Sequence, residues 1–140
     1  MSARTATIAL IAWAALIFIL SSFPNPPGPR VTEPRAILAH VVMYAVLGYL
    51  AAHALAARRG RFDRWHALAA WLFAVAYGIS DEFHQSFVPN RHATALDVLA
   101  DAVGAAIGVL AARIALRRTA RGFAVRTAAR PGRESPRSAK

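Results

Sequence analysis

Ser80-Asp81-Glu82-Phe83-His84-Gln85-Ser86-Phe87-Val88-Pro89-Asn90-Arg91 puts an acidic pair, a histidine, an amide and an arginine at one junction between two apolar runs. Of the chain's seven carboxylates, four lie from Asp81 to Asp101, because Asp97 and Asp101 follow inside the second run. Ionisable groups inside a membrane-crossing segment are expensive and mark working sites. What flanks the junction decides whether that reading applies.

The 140 residues are 56% hydrophobic, with a mean hydropathy of +0.36, too apolar for a soluble fold of this size. Seventeen Lys+Arg against seven Asp+Glu give a net charge of +10, and the excess gathers in one short loop and the C-terminal tail. Basic clusters beside apolar runs read as membrane topology. A pI near 11.7 comes with no recognition motif, so no nucleic-acid partner is expected. The absence of cysteine excludes disulfides and thiolate metal sites.

Working outward, four spans are expected. Residues 6–23 form an 18-residue run without a charge, just long enough to cross a bilayer. No small-residue cleavage site precedes its end, so it reads as a retained helix rather than a signal peptide. Asn25-Pro26-Pro27-Gly28-Pro29 then breaks helix outright. The second span is 36–57, closed by Arg58-Arg59-Gly60-Arg61. A third, 65–85, reaches full length only if helix continues through Asp81 to Gln85, and the fourth is 95–116. The fold class is all-α: a polytopic membrane protein with four helices in a small bundle over residues 1–118. A basic tail follows, 119–140, whose Arg, Pro, Gly and Ser content predicts no ordered structure. Arg58, Arg59, Arg61 and Arg64 place the second loop, and with it both termini, in the cytoplasm, so the junction faces outward.

Continued helix past Ser80 would align Asp81, His84 and Gln85 and turn Glu82 about 100° away. His40 and Tyr44 share a face early in the second span. In the fourth, Asp97, Asp101, Gly104 and Gly108 form one stripe, the glycines a G-x-x-x-G that admits a neighbouring helix. Asp101, about 10 Å into its helix, must be paired, protonated or wetted.

Two functional classes fit. In a binding module, Arg91 offers its planar fork to a phosphate or carboxylate, and His40, Tyr44, Glu82, His84, Gln85, Asp97 and Asp101 supply polar contacts. In an intramembrane hydrolase or transferase acting on a lipid-linked precursor, Asp81 or Glu82 is the base and His84 or His40 its partner. Ser80 and Ser86 are the nearest hydroxyls but belong to no recognised nucleophile motif. The plainer structural account makes Asp97 a helix N-terminal acid and has Arg91–Asp97 and His40–Glu82 pairs lock the helices. Asp81, His84 and His40 offer oxygen and imidazole ligands at no diagnostic spacing, so neither metal nor cofactor is expected.

His40-x3-Tyr44, the string Asp81-Glu82-Phe83-His84-Gln85-x-Phe87-x-Pro89-x-Arg91, and Asp97-Val98 with Asp101, Gly104 and Gly108 beyond it together resemble the VanZ-like membrane proteins. The resemblance runs from about the first span to Gly108. It implies a small helical domain of the bacterial cytoplasmic membrane and a role in susceptibility to teicoplanin-like lipoglycopeptides, with no established chemistry attached. Membrane lipid, a lipid-linked envelope precursor or a lipoglycopeptide are the partners it suggests, and so small a bundle is compatible with an oligomer. Two departures stand out. Ala36-Ile37 occupies positions where many members have Asp-Lys, with Glu33 and Arg35 nearby, and Asp101 stands where Asn is common, adding a potential charge.

Overall fold

The computed structural model describes residues 2–24, 33–91 and 94–128. Four helices follow one another, α1 (Ala3–Ser21), α2 (Glu33–Arg59), α3 (Arg64–Gln85) and α4 (Ala95–Ala128), and no strand occurs among the described residues. The proline-rich loop 25–29 and the tail 129–140 lie outside the described residues.

The helix ends follow from local chemistry. Ser2 caps α1 by accepting the Thr5 amide. Arg58 and Arg59 close α2 where the helix dipole favours cations. Gly60, at φ +68°, then turns the chain while its N–H bonds the Ala56 carbonyl at 2.9 Å. Asp63 starts α3 by accepting the amides of Trp65 and His66. The backbone and side-chain hydrogen bonds from His66 hold the Asp63 carboxyl below its usual value. α3 does continue through Gln85. Ser22 and Ser86 occupy equivalent positions as the αR caps of α1 and α3.

One expectation is corrected. Residues 119–128, read as part of a structureless tail, continue α4 as helix to Ala128. A helix already formed needs no new nucleus, and each further Ala or Arg adds one hydrogen bond per residue fixed.

α1, α2 from Pro34 and α4 as far as Ala120 are long and apolar enough to cross a membrane. α3, 22 residues and about 33 Å long, has the length for a bilayer core of about 30 Å. Its composition is more polar. Burial explains how this is arranged: Leu68, Leu72, Phe73, Ile79 and Phe83 are exposed, whereas Asp81, Glu82 and Gln85 are buried. Exposed apolar side chains and buried acids invert the pattern of a soluble domain, and an apolar surrounding is the setting in which that inversion is stable.

α2 is the central element: it packs on all three other helices, most extensively on α4, whereas among the described residues the backbones of α1 and α4 do not approach closely. Its seam with α4 is a direct backbone contact. A Cβ at Gly104 would overlap the Val41 carbonyl, one at Gly108 the Ala45 carbonyl, and one at Gly48 would stand 2.6 Å from the Ala105 oxygen. The stripe of small residues thus replaces side-chain interdigitation with close van der Waals approach. Aromatic donors tie the remaining helices to one another's carbonyls: Trp13 Nε1 to Met43 O at 2.9 Å, Trp71 Nε1 to Ala102 O at 3.0 Å, and Tyr77 Oη to Ala14 O at 2.7 Å.

Candidate functional site

The glycine seam places the start of α2 beside the second turn of α4, and α3 brings its last turns against both. Asp101, with no exposed surface, accepts from His40 Nδ1 through Oδ1 at 2.9 Å. The same imidazole nitrogen lies 3.9 Å from Glu82 Oε1, so one histidine faces two carboxylates. Both Glu82 oxygens, Asp101 Oδ2, Asp81 Oδ1 and the Tyr44 hydroxyl are buried and meet no hydrogen-bond partner among the described residues. Gly78 makes the space for this cluster: a Cβ there would sit 2.8 Å from Asp101 Oδ2 and 3.2 Å from the Tyr44 ring.

A second chain of contacts leads from this cluster towards the α3–α4 connection. Gln85 Nε2 donates to Asp81 Oδ2 at 2.8 Å. Gln85 Oε1 in turn accepts from Arg91 Nε at 3.1 Å and from Nη2 at 2.6 Å. The geometry comes from a tight turn, in which Arg91 N bonds Val88 O at 3.2 Å across Pro89 and Asn90, and Asn90 holds φ at +63°. Proline presets the second residue of such a turn, and asparagine tolerates the left-handed third. Among the described residues Arg91 meets no carboxylate at ion-pair distance. Its charge rests on a neutral amide.

Beside these groups lies a cavity of about 260 Å³. Ile17, Leu20, Ala39 and Met43 give it apolar walls, and the polar groups of His40, Tyr44, Asp81, Gln85 and Arg91 border it. A larger cavity of about 360 Å³, lined in part by His53, Arg61, Arg113 and Arg117, is near the opposite helix ends and contains no carboxylate.

Residues 6–116 match the family model described as VanZ/LLP1. The chain belongs to the VanZ/LLP1 family. No curated protein and no solved structure matches it.

In this VanZ/LLP1 chain the residues singled out from the sequence form two groups, with the rest lying apart from both. His40, Glu82 and Asp101 converge, with Tyr44 and Asp81 beside them; Gln85 and Arg91 form the second group. His84 belongs to neither. Its Nε2 is 3.0 Å from Ser22 Oγ and its ring stacks on Phe18, centroids 4.7 Å apart, so it fastens α3 to α1. Asp97 accepts from the Thr94 hydroxyl at 2.7 Å in the first turn of α4, the local role of an N-terminal acid. Ser80 and Ser86 are exposed and donate to the carbonyls of Tyr77 and Phe83, away from the cluster. Gly104 and Gly108 form the α2 seam. The sequence reading missed Gly78, whose only signal is a glycine one turn ahead of the acidic pair. It also missed Pro89-Asn90, a dipeptide with recognised turn chemistry that aims Arg91 back at Gln85.

Proposed function

We propose that this VanZ/LLP1 protein is a multi-pass protein of the bacterial cytoplasmic membrane that binds an anionic envelope amphiphile in the cavity bordered by Arg91. One observation carries the reading: a guanidinium held by a neutral amide at the edge of an apolar-walled cavity. Such a group keeps donors and a full charge for a ligand phosphate or carboxylate, while Ile17, Leu20 and Met43 provide the surface a lipid tail requires. Modulation of lipoglycopeptide susceptibility follows if the bound amphiphile is one that those antibiotics need.

Arg91→Lys keeps the charge and removes the fork. It is expected to weaken retention of a polyprenyl phosphate roughly tenfold or more, read by native mass spectrometry against a neutral lipid of equal chain length. Membrane abundance should stay unchanged, and any lipoglycopeptide phenotype should be lost. Equal retention of both lipids by wild type and variant removes the proposal.

Proposed with it is the orientation: four crossings, α3 included, both termini cytoplasmic and the Asp81–Arg91 segment outward. Gly60 and Asn90 hold positive φ, so cysteine probes belong at the exposed neighbours Arg61 and Ser86. In intact cells an impermeant thiol reagent should label Ser86→Cys and spare Arg61→Cys; the reverse pattern inverts the topology.

A second reading, hydrolysis or group transfer on a lipid-linked precursor, is favoured by the His40–Asp101 hydrogen bond, the relation of a base to the group that orients it. Consumption of such a precursor by purified protein would establish it.

A further inference from the structure

We propose that His40, Glu82 and Asp101 form a binding site for one divalent cation that takes mixed nitrogen and oxygen ligands, of the Zn2+ or Mn2+ class. The site differs from the set weighed on sequence, because His84 is turned to α1 and Glu82 and Asp101 take its place around His40. It is independent of what occupies the neighbouring cavity.

Three observations support it. First, one ligand atom from each residue falls within 4.8 Å of the other two, with His40 Nδ1 2.9 Å from Asp101 Oδ1 and 3.9 Å from Glu82 Oε1. Atoms that each lie about 2.1 Å from a common ion are roughly 3.0–3.4 Å apart in octahedral or tetrahedral arrangements. Small side-chain rotations bring the observed separations into that range.

Second, the buried oxygens are unspent. Glu82 is only 6% exposed, with both oxygens buried without donors and Oε1 facing His40, and Asp101 at 0% leaves Oδ2 bare. Only His40 among the described residues stands within ion-pair distance of either carboxylate. A dication would neutralise both and leave His40 as a neutral ligand, where protonating that histidine answers one charge alone.

Third, there is a way in. His40 borders the cavity of about 260 Å³, which puts one of the three ligands at the edge of an open space from which an ion could approach. One imidazole with two carboxylates favours Zn2+ or Mn2+ over the all-oxygen preferences of Mg2+ and Ca2+. Three protein ligands also leave positions open for water or for an oxygen anion.

The probe is zinc alone, titrated calorimetrically into chelator-treated full-length protein in detergent, with bound metal counted by mass spectrometry. One zinc per chain is expected. Glu82→Gln and Asp101→Asn preserve shape, and each should weaken binding at least about tenfold, as loss of even an outer-shell partner can do. Thermal melting without metal verifies that both variants remain folded, and zinc should raise the melting temperature of wild type only. The double variant Asp63→Asn, His66→Ala removes a part-buried carboxylate–imidazole pair at the first turn of α3 and should leave the titration unchanged. Substitution by Co2+ should give ligand-field bands without sulfur charge transfer.

Equal affinity in wild type, Glu82→Gln and Asp101→Asn overturns the site, as does binding abolished by the Asp63, His66 variant. Protonated-carboxyl infrared bands assigned to Glu82 or Asp101, by their loss in Glu82→Gln or Asp101→Asn, that persist under excess zinc overturn it too, since protons would then be neutralising the cluster. No amphiphile enters these measurements, so their failure leaves the lipid-binding proposal standing, and failure of the Arg91→Lys experiment leaves the metal site standing.

Discussion

Gly108→Leu is expected to prevent α2 and α4 from packing and so to deplete folded protein from the membrane, whatever the protein binds. Even the first carbon of a side chain at Gly108 would overlap the Ala45 carbonyl, with Tyr49 N only 2.9 Å away. Backbone atoms inside two helices cannot rotate aside as a side chain can, so α2 must translate as a body. Overpacking in cores typically costs about 1–3 kcal/mol; a clash against backbone belongs at or above the upper end. Gly104→Leu should behave alike because it meets Val41 in the same way. Ala111→Leu, on the exposed side of α4, should be nearly neutral. Unfolding of the three variants in detergent ranks them, and equal stabilities would mean that the seam is not where the helices are held.

The second large effect concerns charge. His40→Leu strands Asp101, whose only hydrogen bond among the described residues is to that imidazole, beside Glu82, which has none. Breaking a buried ionic contact from one side is expected to destabilise by about 3–5 kcal/mol. Adding Asp101→Asn to His40→Leu should recover the larger part, because an amide needs hydrogen bonds but no counter-charge. If the double variant falls as far as the single, the loss is one of packing around Tyr44 and Gly78, and the electrostatic account of the cluster fails. Both variants are to be measured in chelator, so that the outcome does not depend on metal.

Much of this was legible in the sequence, for identifiable reasons. Hydropathy, Gly60 and the proline clusters delimit helices, and the three- and four-residue offsets of Asp101, Gly104 and Gly108 put them on one stripe in any α-helix. Which side of α3 would matter was not legible. Asp81 was aligned with His84 and Gln85, and Glu82 set apart, but α3 is covered from several directions. Asp81 and Gln85 turn towards the cavity, Glu82 turns towards His40, and His84 turns towards α1. A helical period gives relative angles on one helix; the positions of α1 and α2 around it are tertiary facts. Arg91 illustrates the same limit. Opposite charge suggested Asp97 as its partner, yet the Pro89-Asn90 turn carries it to Gln85.

The polar lining of α3 has a consequence for biosynthesis. In the proposed topology this is the helix that a bilayer would reject by itself, since Asp81, Glu82 and Gln85 occupy its final turns. What shelters Glu82 is His40 from the preceding hairpin and Asp101's helix from a segment not yet made when α3 leaves the ribosome. Trp71 reaches the Ala102 carbonyl of that same later helix. Stable integration of α3 therefore has to wait for α4. The first hairpin can settle in lipid as it emerges, whereas the second enters as a pair, and until then the chain depends on the insertion machinery to keep its acids out of hydrocarbon.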